Sequence, residues 1–153
     1  MRAKAIAVTI SLVFVAVAAG FADSPHIGTW KLNEAKSKLN GTARNNTVVY
    51  AAEGDQIKIT VDGVDESGNP SHNEWTGKFD GKPYPVTGDS NADTRTYTQV
   101  NTRTLTFKNE KNGKVTVEGR VVISGDGKSR TVTTTATDAQ GKKVTNVAVY
   151  DKQ

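Results

Sequence analysis

Apolar and polar residues alternate along most of this chain with a period of two. Between Gln56 and Asp62, Ile57, Ile59 and Val61 alternate with Lys58, Thr60 and Asp62, as in a strand with one face buried and the other in water. Similar short runs span Ile27 to Asn33, Thr47 to Glu53, His72 to Asp80, Lys82 to Thr87, Thr94 to Val100, Arg103 to Asn109, Lys114 to Ser124, Lys128 to Thr137 and Lys142 to Asp151. Turn residues separate them: Gly54-Asp55, Asp65 to Pro70, Asp80-Gly81, Asn112-Gly113, Gly125 to Gly127 and Gln140-Gly141. Asp80-Gly81 suits a type I′ hairpin, whose central residues need positive φ. About ten strands at roughly ten-residue spacing predict an all-β antiparallel up-and-down meander that closes as a barrel or folds as a sandwich. Helical periodicity is confined to Asn33 to Leu39, a turn or two ended by Asn40-Gly41. The recurring Gly-Lys pairs, such as Gly113-Lys114 and Gly127-Lys128, read as hairpin chemistry rather than as a duplicated unit.

The N-terminal segment follows a different pattern. Arg2 and Lys4 precede an uncharged apolar run from Ala5 to Ala19, and small residues stand at Gly20 and Ala22. This is the order of a signal peptide, too short for a comfortable membrane span. The expected division is a signal peptide over 1–22, cleaved near Ala22, and one domain over 23–153, periplasmic or secreted. An uncleaved N-terminal anchor is the alternative.

Removing that segment changes the composition. The full chain of 153 residues carries 20 Lys+Arg against 16 Asp+Glu. Without Arg2 and Lys4 the net charge falls from +4 to +2, which gives no case for a nucleic-acid partner. Val outnumbers Leu by 14 to 3 in the remaining chain, and Thr appears 19 times. Both Val and Thr are β-branched and pack well on a pleated surface. Large aliphatic and Phe residues are sparse, enough to fill a small barrel but leaving little for a wide one. Cys is absent, which excludes disulfides, thiolate metal sites, thiol nucleophiles and Cys-anchored lipidation.

Catalytic chemistry finds little support. Of the two histidines, His26 follows the cleavage site and His72 opens a strand on the face opposite Trp75. Both read as surface residues, since no Ser/His/Asp spacing supplies a positioned partner. Asp62, Asp65 and Glu66 lack the ligand spacing of a calcium loop. Gly125 to Lys128 lacks the full phosphate-loop pattern and a following helix. The chain is not expected to be an enzyme or to need a cofactor.

The aromatic residues are more informative. Trp30, Trp75, Phe79, Tyr84, Tyr97 and Phe107 fall on the face that alternation turns inward. In a sandwich they are simply core; in a barrel they line a ligand space. Arg95 and Gln99 share a face with Tyr97. An inward Arg95 needs a polar or anionic partner, so it could anchor a ligand head. Alternatively, it lies in solvent on an edge strand, or pairs inside with Asp or Glu.

Gly28-Thr29-Trp30-Lys31-Leu32 resembles the Gly-x-Trp opening of the calycin superfamily, which includes lipocalins and intracellular fatty-acid-binding proteins. Val147 to Lys152 is similar to the Arg-x-Tyr ending of the fatty-acid-binding branch. The resemblance implies a closed or nearly closed calycin-like barrel, with Trp30 closing its base and Tyr150 contacting ligand. Ala148 stands where that branch has its carboxylate-gripping arginine, and Asn33 to Asn46 is too short for the branch's two-helix lid.

The expectation is therefore an exported, monomeric barrel that binds or carries a small, largely apolar, lipid-like ligand. Trp75, Tyr84, Tyr97 and Phe107 would supply apolar contact, with Arg95, Gln99 or Tyr150 orienting a polar end. The rival is a non-catalytic interaction or inhibitor module with a packed interior.

Overall fold

The computed structural model describes residues 23–138 and 140–153, so the segment 1–22 and its cleavage site lie outside the described residues. Ten strands follow one another: β1 (Gly28–Leu32), β2 (Arg44–Glu53), β3 (Gln56–Val64), β4 (Pro70–Gly77), β5 (Asp80–Thr87), β6 (Thr94–Asn101), β7 (Thr104–Lys111), β8 (Lys114–Ile123), β9 (Ser129–Thr137) and β10 (Lys143–Lys152). Each pairs antiparallel with the next, and β10 returns to β1 through Trp30 opposite Lys152, Lys31 opposite Asp151 and Leu32 opposite Tyr150. The sheet is thus a closed up-and-down barrel rather than a sandwich. No helix among the described residues is long and apolar enough to cross a membrane.

Alternation places the core. Ile57 and Ile59 of β3, Trp75 of β4, Leu105 of β7 and Val121 and Ile123 of β8 are buried inside the barrel. Burying a side chain of this size contributes roughly 1.5–3 kcal/mol relative to leaving it exposed. The expected helical stretch is a single 3-10 turn at Glu34–Lys36, with the Asn33 side chain accepting a hydrogen bond from the Lys36 amide. Beyond it the chain hugs β10: Lys38 bridges to Val147, and Asn40 bonds to Thr145 and Asn146.

One end of the barrel is plugged. Trp30 is fully buried there, and its indole donates to the His26 carbonyl at 3.0 Å. The Lys152 ammonium lies 5.2 Å from the Trp30 ring centroid and donates to the Pro25 carbonyl. Gly28 makes this close approach feasible, because a Cβ at its position would stand 2.7 Å from Lys152 Cε. Its φ of +136° also suits glycine alone. Trp30 therefore helps to close this end of the barrel.

The β4–β5 connection departs from expectation. Asp80-Gly81 is not a hairpin turn but the start of β5, where the register shifts between Asp80 and Pro83. β4 and β5 pair only at Glu74 with Thr87 and at Trp75 with Val86. The strands splay because aromatic rings fill the seam: Tyr84 packs edge-on against Trp75, and Phe79 stacks on it. A local turn dipeptide yields here to tertiary packing. Asn112-Gly113 does turn in the left-handed region, with φ of 51° and 77°.

Glycine also sets the geometry near the other end. The β2–β3 register shifts between Asn45 and Thr47, opposite Gly63, where a Cβ would overlap the Arg44 carbonyl. Gly63→Ala should destabilise the barrel by about 1–3 kcal/mol in urea unfolding. Gly125→Ala, where a Cβ meets open space, should stay within about 0.5 kcal/mol of the parent.

Candidate functional site: a cavity inside the barrel

The strands converge on a cavity of about 350 Å³, at the lower end of the range for small-molecule sites. It opens at the end opposite the Trp30 plug. The β1–β2, β3–β4 and β5–β6 connections frame its mouth, where Leu39, Arg44, Asp65 and Asp89 stand. Its deeper wall is built from Tyr50, Tyr97, Val121, Arg130 and Tyr150. Each comes from the inward phase of its strand, so the alternation that makes the core also makes the cavity.

Four of the seven sequence-derived site residues, Arg95, Tyr97, Phe107 and Tyr150, line this cavity. Trp75, Tyr84 and Gln99 do not. Trp75 is buried, in edge contact with Tyr97, and its indole donates to the Arg95 carbonyl at 2.9 Å. Tyr84 sits in the β4–β5 seam with its hydroxyl on Asp80 at 2.8 Å. Gln99 keeps the phase of Tyr97, in register with Leu105, but is exposed near the plugged end, away from the cavity.

Arg95 takes the inward, acid-paired arrangement. β6 is hydrogen-bonded on both sides, so it is not an edge strand. The buried guanidinium donates through Nε to Asn109 Oδ1 at 2.7 Å, meets Asp89 Oδ2 at 3.1 Å through Nη2, and reaches Asn73 Oδ1 at 3.5 Å. With a carboxylate and two amides around it, Arg95 is already satisfied. Its partner Asp89 belongs to the 88–93 connection, which Arg95 thereby pins across the rim. Further ties are Thr116 Oγ1 to the Asn91 carbonyl, Lys111 to the Ser90 carbonyl and the Asn112 amide to Asp93.

Sequence reasoning missed the second interior arginine. Arg130 is 3% exposed on β9, in phase with the cavity-lining Val132, Thr134 and Ala136. Its guanidinium carbon lies 4.9 Å from the Trp30 ring centroid, 4.8 Å from Tyr50 and 5.0 Å from Tyr150. The signal was available: Arg130 alternates with Val132 across a run of threonines.

Tyr97 and Tyr150 keep their protons. Burial pushes the Tyr150 phenol up to about 12, against the opposing pull of Arg130, and its hydroxyl donates to the Asn45 carbonyl at 3.0 Å. Burial, followed by the nearby Tyr50, drives the Tyr97 phenol well above its ordinary range.

The histidines divide. His72 is a surface residue, as expected, held 2.6 Å from Asp62 and 3.4 Å from Glu74. Those two hydrogen bonds raise its pKa. His26 is not on the surface: it is 1% exposed in the plug, stacked on Tyr50 and edge-on to Phe79. Burial, then the charges of Arg130 and Lys152, lower its pKa to about 4. Its position just after the apolar segment hid this, because the chain folds back over the barrel base. Among the described residues no group of His, Asp and Glu side chains could hold a metal ion. Asp65 instead caps its own loop, accepting from the Ser67 and Asn69 amides at 2.9 Å each.

No protein-family model matches the chain, and no curated protein matches it.

Two outcomes are expected. Between an unfolded pKa of 6.5 and a folded one of about 4, the unfolded chain takes up a proton at His26 that the native state refuses. Stability is thus complete above the unfolded value and is lost as pH falls toward the folded one. His26→Leu should remove about 2–3 kcal/mol of the loss between neutral pH and about pH 4.5, read by urea unfolding at each pH. Asp89→Asn should speed amide exchange across 88–93. Its cycle with Arg95→Met should give a coupling of about 1–3 kcal/mol.

Proposed function

We propose that this protein is an exported, non-catalytic carrier or binder that takes a small, largely apolar ligand into its barrel, on the pattern of the calycins. The cavity carries this reading: a packed interaction module would have a filled interior, whereas this barrel keeps about 350 Å³ reached from one end. Apolar walls such as Phe107, Val117 and Val121 suit a hydrocarbon or ring body, and a few convergent polar groups would orient it. The size favours a medium-length acyl chain or a fused ring pair over a long lipid. Export rests on the order of charges, apolar run and small residues in 1–22. The calycin reading rests on Gly28 and Trp30, on the Val147 to Lys152 ending and on the ten-strand closed meander.

The neutral fluorophore phenylnaphthylamine tests the reading. It should bind the 23–153 chain saturably at one site, with a rise in its emission. Ala148→Trp, which places an indole in the cavity wall, should weaken that binding at least about tenfold while the far-UV spectrum keeps its β shape. No saturable binding by a folded barrel, or binding indifferent to Ala148→Trp, would overturn the proposal.

A further inference from the structure

The two interior arginines are unlike. Arg95 has a carboxylate and two amides. Arg130 has three aromatic rings, its Nε and Nη1 are buried without a hydrogen-bond partner, and no ion pair reaches it among the described residues. Ring faces stabilise a desolvated cation by about 2 kcal/mol or somewhat more. Removing a cation of this kind from water costs several kcal/mol. Rings also do not replace in-plane acceptors: guanidinium N–H groups project in the plane and match the two oxygens of a carboxylate.

Nearby polar groups do not supply such acceptors. The Tyr150 hydroxyl is donated to the Asn45 carbonyl. The acids at the mouth are engaged: Asp89 with Arg95, and Asp65 with its own loop amides. On the plugged side stands His26, a neutral ring at ordinary pH that supplies no negative charge. Arg130 therefore presents an uncompensated positive charge to the inner part of a cavity whose other walls are largely apolar or neutral.

Building on the carrier reading above, we propose that Arg130 is the anchor for the ligand's anionic head, a singly charged oxyanion such as a carboxylate. The ligand would lie head inward, its apolar body running past Phe107 and Val117 toward the mouth. The Trp30, Tyr50 and Tyr150 rings hold the guanidinium in place, so the ligand does not have to order a mobile side chain. The cation stands on β9 across from Tyr150 in the β9–β10 register, while Ala148 leaves space on β10. Arg95 holds the 88–93 connection at the rim and is not the anchor.

A pair of probes with the same aromatic body separates the two readings. Anilinonaphthalene sulfonate carries an oxyanion, and phenylnaphthylamine is its neutral parent. The parent protein should bind the sulfonate at least about tenfold more tightly, as one charge-assisted hydrogen-bonded contact provides. Decanoate should displace it far better than decanol. Arg130→Met should abolish the preference for the anion, and Arg130→Lys should keep part of it. Equal affinity for both probes in the parent protein, or a preference that survives Arg130→Met, overturns the anchor and leaves the carrier reading standing. Binding of neither probe overturns both. Should Arg130→Met not fold, the parent's ratio of affinities and the Arg130→Lys value decide the matter.

Discussion

Closure of β10 onto β1 is the interaction on which the rest of this structure depends. The pairing is short, from Trp30 opposite Lys152 to Leu32 opposite Tyr150, yet it removes both free edges of a ten-strand sheet. Without it the chain would present two unpaired rows of backbone donors and acceptors. The interior would also become one exposed face of an open sheet. Closure encloses the cavity, seats Trp30 under Lys152, and brings the rings of Trp30, from β1, and Tyr150, from β10, onto the same guanidinium of β9. With no cysteine in the chain, strand pairing and packing alone hold the ring together.

A sparse apolar inventory shapes what that ring encloses. Rings and branched aliphatics fill the barrel from the plug through the Trp75, Phe79 and Tyr97 cluster. Above this layer the inward positions turn small or polar: Thr134, Ala136 and Asn146 on β9 and β10, and Asn73 and Asn109 across from them. Side chains of that size cannot meet across a ten-strand barrel, so the interior stays open toward the mouth. Two arginines are buried in the space. One was given a carboxylate by a loop, and the other was given only rings.

The pattern of alternation carried the element order and the all-β class because both depend on local periodicity. Each of the ten expected strands is present, with boundaries shifted by a few residues. Failures occurred where a tertiary contact outweighed a local signal. Asp80-Gly81 looked like a hairpin turn, but ring packing between Trp75, Phe79 and Tyr84 splays β4 from β5. Gln99 does share a phase with Tyr97 and pairs with Leu105, but it stands near the plugged end of the barrel, exposed and away from the cavity. His26 seemed a surface residue because nothing in its neighbourhood shows that the chain turns back across the barrel base.

Taken alone, then, the amino-acid sequence determined the period-two alternation of most strands, how many strands there are, and that an arginine on the Tyr97 face would need a partner. Period-two alternation and turn chemistry act over a few residues and are legible without coordinates. Only the tertiary structure decided which partner each buried charge received. Asp89 reaches Arg95 from a loop. Trp30, Tyr50 and Tyr150 reach Arg130 from three strands spread along the chain, two of them at the closure. Electrostatic pairing depends on distance in space, and closure of the barrel sets that distance.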